Sequence, residues 1–255
     1  MTLERERRGK VEILRLNRPD ARNAIDPETA RAIEDALDDV DADRDVWCVV
    51  ITGTGPVFCA GADLKVVAAG GGLDILTERG GFAGIAERPV AKPLIAAVNG
   101  PALAGGFEIV LACDLVVAAA DAVFGLPEVQ RGLLASAGGP LRLAQRVPLA
   151  TALELTVLGE PIPASRAHDL GLVNRVVPRD GVVDEALALA ERIIANSPAA
   201  VRGARTLVRG AADATEAEAW ALSRRVMREV GSSPDAREGA RAFVEKRPPV
   251  WADPR

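Results

Sequence analysis

The chain is short of the residue types on which most site chemistry depends. Its one histidine, His168, rules out any multi-histidine metal site. Standing ahead of Asp169-Leu170-Gly171, it reads as a surface or capping residue without a catalytic role. Cysteine is nearly as scarce. Cys48, Cys59 and Cys113 are an odd set without metal-ligand spacing, and read as reduced, mostly buried thiols of a cytoplasmic protein. There is no apolar run of about eighteen residues, so no membrane span is expected. Met1 to Lys10 is mostly charged and lacks the apolar core of a signal peptide. Positive charge is not in excess either: 31 Lys and Arg stand against 36 Asp and Glu, a net charge of −5. Arginine is interspersed with acids, as in Arg224, Arg225, Arg228 and Glu229, so nucleic acid is not the expected partner.

Several common sites are also missing. Gly53-Thr54-Gly55-Pro56-Val57-Phe58 begins like a dinucleotide fingerprint, but Phe58 occupies the third glycine's place. No Walker lysine follows a glycine-rich loop. Ser136, in Leu134-Ala135-Ser136-Ala137-Gly138, lacks the first glycine of a nucleophile elbow. Cys59 has no evident base to activate it and reads as a small buried side chain. Glycine-rich backbone and carboxylates remain, and these point to proton transfer.

At 255 residues, 49% hydrophobic and 26% charged, the chain has ordinary globular composition and enough length for a proper core. Val11 to Leu16 reads as a strand broken at Asn17-Arg18-Pro19. Asp26-Pro27-Glu28 opens a helix with Ile33, Leu37 and Val40 on one face. Buried strands are expected at Val46 to Ile51, Leu94 to Val98 and from Asp114 to Val117, with a short helix over Gly106 to Cys113 and a later strand at Val173 to Val177. This alternation predicts an α/β fold. Beyond Asp184 the pattern is helical only, over about 184–196, 199–211, 215–230 and 234–245. The expected organisation is an α/β core over 1–195 and a C-terminal helical region over 196–255. Six glycines crowd Ala68 to Gly84, where a mobile loop or short helical pieces are expected.

Three segments are of chemical interest: Ile51-Thr52-Gly53 through Cys59-Ala60-Gly61-Ala62-Asp63-Leu64-Lys65; Ala96-Ala97-Val98-Asn99-Gly100-Pro101 through Ala104-Gly105-Gly106-Phe107-Glu108; and Phe124-Gly125-Leu126-Pro127-Glu128-Val129, followed by Gly138-Gly139. In the first two, a buried strand runs into small residues before a helix begins. Such a turn leaves unpaired N–H groups at a positive helix end, suited to a developing oxyanion. The residues alone leave packing turns and ordinary helix acids open as readings of these glycines and of Glu108 and Glu128.

Taken together, these segments resemble the crotonase, or enoyl-CoA hydratase/isomerase, superfamily. Asn17 to Ala24, Gly171-Leu172-Val173-Asn174-Arg175-Val176-Val177 and Glu238-Gly239 through Phe243 to Pro248 match in the same order along nearly the whole chain. The resemblance implies a fold of repeated ββα units with a C-terminal helical trimerisation region, and a homotrimer or a dimer of trimers. It implies that the Ala62 and Gly105 amides bind the carbonyl oxygen of an acyl-CoA thioester. Glu128 then delivers a proton to carbon 2, while Glu108 positions and deprotonates water, with no metal or redox cofactor; coenzyme A is part of the substrate. Ala24, Ala60, Asp63, Leu64 and Lys65 are the implied coenzyme A contacts, with Phe243 and Lys246 reaching a neighbouring subunit's ligand. Both hydratase glutamates are present, whereas an isomerase manages with one, and Ala135 and Ser136 stand where isomerising relatives carry an acid. The expected activity is therefore syn hydration of a 2-trans-enoyl-CoA. The rivals are an isomerase, a carnitinyl-CoA-type dehydratase, and a non-catalytic acyl-CoA binder.

Overall fold

In the computed structural model, which describes residues 1–252, the charged N-terminus forms a strand, β1 (Leu3–Arg8). It pairs antiparallel with β2 (Val11–Leu16), from Leu3 opposite Leu16 to Arg8 opposite Val11. Hydrophobic periodicity does not reveal β1, because Leu3 alone in it is buried. As an edge strand it turns charge outward, which discourages pairing with another chain. Arg5 and Arg7 each bind the buried Glu12 carboxylate at 2.8 Å, tying β1 to its neighbour.

Helix α1 (Pro27–Ala42) starts as its sequence dictates: the Asp26 side chain accepts from the Thr29 amide at 2.8 Å and Pro27 takes the first turn. Ile33, Leu37 and Val40 are buried. Next come the wholly buried β3 (Cys48–Gly53), the short α2 (Leu64–Ala68) and a small hairpin, β4 (Leu76–Thr77) with β5 (Gly81–Phe82). The hairpin falls in the glycine-crowded segment, where loop or helical pieces were the expectation. The buried Glu34 of α1 explains the difference. Its carboxylate accepts from the Arg79 and Gly80 amides at 3.1 and 2.9 Å, an anchor forty-five residues away that local periodicity cannot register.

Two full ββα units follow. In the first, β6 (Leu94–Val98) leads to β7 (Ala102–Leu103) and α3 (Gly105–Ala112). In the second, β8 (Leu115–Ala119) leads to β9 (Val123–Gly125), a 3-10 turn at Pro127–Arg131, and α4 (Gly139–Arg146). The earlier β3–α2 segment has the same form, with Cys59 bridging to Ala102 in place of a full second strand. Beyond them lie α5 (Leu149–Val157), β10 (Ile162–Pro163), α6 (Ala164–Asp169) and β11 (Arg175–Val177). The first strands of the units build one sheet, ordered β1-β2-β3-β6-β8-β11 and parallel from β2 onward; β10-β9-β7 form a second.

Helix α7 (Val182–Ile194) packs across β3, β6 and β8 and buries Val182, Ala186 and Ala190. Helices α8 (Pro198–Ala211), α9 (Glu216–Gly231) and α10 (Pro234–Glu245) pack on one another. Thr215 and Glu218 close a capping box at the start of α9. Among the described residues no helix is long and apolar enough to cross a membrane.

Candidate active site

Each of the three β-to-helix turns delivers one part of the site. In the first turn the backbone around Ala62 is set by Ile25, whose amide donates to the Gly61 carbonyl at 2.8 Å and whose carbonyl accepts from Asp63 at 2.9 Å. In this parallel bridge the Ala62 N–H points away from Ile25. In the second turn Ala104 caps α3 with φ +52° and ψ −131°, a conformation that costs a non-glycine residue about 1–3 kcal/mol. Its carbonyl accepts from Phe107 and Glu108, so Gly105 stands at the open N-terminus of the helix. Among the described residues the Ala62 and Gly105 amides meet no acceptor.

The two turns are in contact. Leu103 donates to the Cys59 carbonyl at 3.0 Å. A Cβ on Gly106 would lie 2.1 Å from that same carbonyl, so only glycine lets α3 approach this closely. Gly61, with φ +92°, would place a Cβ 2.9 Å from the Gly105 nitrogen. The first turn therefore rests directly against the second amide. Ala62, Gly105, Glu108 and Glu128 share one cavity of about 440 Å3, with walls of Leu64, Leu73, Ile75, Phe82 and Leu133.

The two carboxylates occupy unlike environments. Glu108, in the first turn of α3, is buried at 3% exposure, and its Oε1 accepts from the Gly139 amide at 2.8 Å. Burial raises its pKa, while the Gly139 and Ala137 amides and the Arg142 charge oppose the rise. Glu128 sits in the 3-10 turn after β9. Its Oε2 is buried and accepts no hydrogen bond from any described residue. Burial pushes this carboxyl up to about 7; its own backbone amide restrains the rise and the Glu108 charge adds to it. Burial raises both carboxyls, but two amides and a guanidinium charge oppose the rise at Glu108, whereas at Glu128 only its own amide does so and the Glu108 charge adds to it. Unequal environments of this kind separate a base from an acid.

The enoyl-CoA hydratase/isomerase family model matches residues 6–254. The chain belongs to the enoyl-CoA hydratase/isomerase family. It is 40% identical to enoyl-CoA hydratase EchA19 of Mycobacterium tuberculosis, across 96% of this chain and 94% of that one. It resembles the crystal structure of an enoyl-CoA hydratase from Mycobacterium tuberculosis H37Rv with a TM-score of 0.94 and 44% identity over 99% of both chains. A carnitinyl-CoA hydratase from Mycobacterium avium matches with a TM-score of 0.80 and 48% identity over 98% of both. The fold is that of the crotonase superfamily.

For this family member the remaining expected positions divide into three groups. Ala60 and Leu64 line the cavity beside Ala62. Asp63 caps α2 by accepting from Lys65 N at 3.1 Å and pairs with Arg18 at 3.0 Å, while Arg18 also donates to the Ala24 carbonyl. Ala24, Asp63 and Lys65 are therefore neighbours at its edge, though outside its lining. Phe243, 85% exposed, and Lys246, at the left-handed end of α10, line no part of it. His168 is exposed, and all three cysteines are free and buried. Sequence reasoning does not find the Gly139 amide on Glu108 or the Arg142 charge near it; the Gly138-Gly139 pair is the one signal of the former.

Proposed function

We propose that this family member is an enoyl-CoA hydratase, adding water reversibly and syn across a 2-trans-enoyl-CoA. The observation that carries the reading is the unequal carboxylate pair in one cavity with two free amides. The thioester oxygen accepts from Ala62 and Gly105, which polarises the conjugated double bond and makes carbon 3 electrophilic. Glu108 takes one proton from water as its oxygen bonds to carbon 3, and the π electrons move to the thioester oxygen as an enolate. Glu128 gives its proton to carbon 2 as the enolate collapses. Return of a proton from Glu108 to Glu128 resets the site. Amides and carboxylates suffice, so the scheme calls on no metal or redox cofactor, and coenzyme A arrives with the substrate.

Ala24, Ala60, Asp63, Leu64 and Lys65 border the cavity mouth where the nucleotide would lie. The same reading includes a cytoplasmic homotrimer or dimer of trimers. Its support is the apolar surface of α9 and α10, where Trp220, Met227, Phe243 and Val244 are all more than half exposed. Phe243 and Lys246 would then reach a neighbour's ligand. Run in reverse, the same steps dehydrate a 3-hydroxyacyl-CoA, the direction of a carnitinyl-CoA-type dehydratase.

The test is turnover of crotonyl-CoA and a panel of enoyl-CoAs, followed as loss of conjugated-thioester absorbance. Glu108→Gln and Glu128→Gln should each lower kcat far more than they weaken binding. Full activity in both variants would defeat the mechanism. Binding by the wild type without turnover of any panel member would favour a non-catalytic binder.

A further inference from the structure

A larger cavity, of about 900 Å3, lies at the opposite end of α3 from Gly105 and shares no lining residue with the catalytic one. Helices α4, α7 and α8 and the start of β8 enclose it. Its walls carry Arg142, Arg146, Arg192, Arg205 and Arg209, against one carboxylate, Asp114. That carboxylate is already committed. Arg205 Nε donates to both its oxygens at 2.8 Å, Arg209 Nε to Oδ1 at 2.8 Å, and the Leu94 amide to Oδ2 at 2.8 Å. Asp213 lies near the rim, where it accepts from Gln145 at 2.7 and 2.9 Å.

Among the described residues Arg142, Arg146 and Arg192 form no ion pair with any carboxylate. Arg142 donates to the Ala137 and Ala86 carbonyls, and Arg146 only to the Cys113 carbonyl at 3.4 Å. Arg142, Arg146 and Arg209 line the same cavity; burial, then the charge of Arg209, lowers the pKa of both Arg142 and Arg146, while Glu108 opposes the shift at Arg142 and Asp114 opposes it at Arg146. Like charges gathered this closely cost free energy unless an anion lies between them. The planar donor fork of arginine matches a phosphate oxyanion, and the volume is that of a small-molecule site. Leu115, Val116, Leu172 and Ile193 add an apolar floor.

We propose that this arginine-lined cavity is a second binding site, separate from the catalytic one, for a phosphate-type oxyanion, free or as the head of a small organic molecule. The test is calorimetric titration of the full-length protein at fixed ionic strength with inorganic phosphate and, separately, with phenyl phosphate. Saturable binding of one anion per chain is expected. Tighter binding of phenyl phosphate would assign the floor to an organic body; equal binding would assign the site to the free ion. Arg146→Gln should weaken binding by about tenfold, the loss of one charge-assisted contact. Arg192→Gln, on the exposed side of α7, should weaken it several-fold and guards against a folding defect in the first variant. Glu128→Gln should leave it unchanged. The proposal is overturned if the wild type shows no saturable binding, if both arginine variants bind as tightly as the wild type, or if Glu128→Gln abolishes binding, which would put the anion in the catalytic cavity.

Discussion

Replacing Glu128 with glutamine should stabilise the protein at pH 8 while removing its activity. The Glu128 carboxyl is held at about 7, against 4.5 for an ordinary glutamate. A gap of about 2.5, at about 1.36 kcal/mol for each, sets an upper bound of about 3.4 kcal/mol on the cost of ionising it in the folded state. Glu128 is only partly buried, and solvent screening reduces the cost to about 1–2 kcal/mol. The folded chain holds this proton more tightly than the unfolded chain does. The carboxyl's contribution to stability is therefore complete below about pH 4.5 and lost as the pH rises through about 7. Glutamine carries no such proton, so the variant's advantage opens across that window and is constant above it. For a chain of this size 1–2 kcal/mol is about 2–8 °C in Tm. Calorimetric melts of both proteins at pH 5 and pH 8 measure the gap. A variant that melts at or below the wild type at pH 8, with no gap opening between the two pH values, would refute the reasoning.

Three further outcomes follow from the geometry. Gly61→Ala forces φ +92° on a residue with a Cβ and pushes that atom to 2.8–2.9 Å from Ala104 and Gly105; displacing one oxyanion donor should lower kcat roughly 10²–10³-fold with the fold retained, read by steady-state kinetics beside circular dichroism. Asn23→Ala removes the buried side chain that donates to the Thr54 and Val57 carbonyls at 2.9 and 2.8 Å and accepts from Arg18 N at 2.9 Å, and should cost about 2–3 kcal/mol in urea unfolding. Burial pushes the thiols of Cys48, Cys59 and Cys113 up to about 12, so a thiol reagent at pH 8 should find none of them in the native protein and all three after denaturation.

The parts of the fold legible in the sequence are those where a whole face is buried or a terminus is capped. Leu94–Val98 is buried at every position, and Ser233-Pro234 marks the start of α10 with a side-chain cap on the Ala236 amide. Helix α5 carries no such signal: its apolar residues lie on more than one face, with Ala152 and Leu155 buried but Leu149, Leu153 and Val157 exposed, so the pattern does not single out the inward side. The site divides differently. Ala62, Gly105, Glu108 and Glu128 are singled out only through the family resemblance of their segments, because a turn of small residues ahead of a helix, or an acid in a helix's first turn, reads locally just as well as packing or as an ordinary surface acid. The difference between the two acids is not local. It arises because Gly139, thirty-one residues on, brings its amide to Glu108, while nothing comparable reaches Glu128 Oε2. A one-dimensional pattern cannot specify that pairing.

The proposed hydration requires the Ala62 and Gly105 amides to grip the thioester oxygen beside these acids. The most direct measurement is the infrared difference spectrum of an enoyl-CoA bound to the Glu128→Gln protein, with the thioester carbonyl isotopically labelled. A carbonyl band at distinctly lower frequency than in water is expected, with the downward shift reduced when Gly61→Ala is added. A bound carbonyl that absorbs where the free thioester does would contradict it.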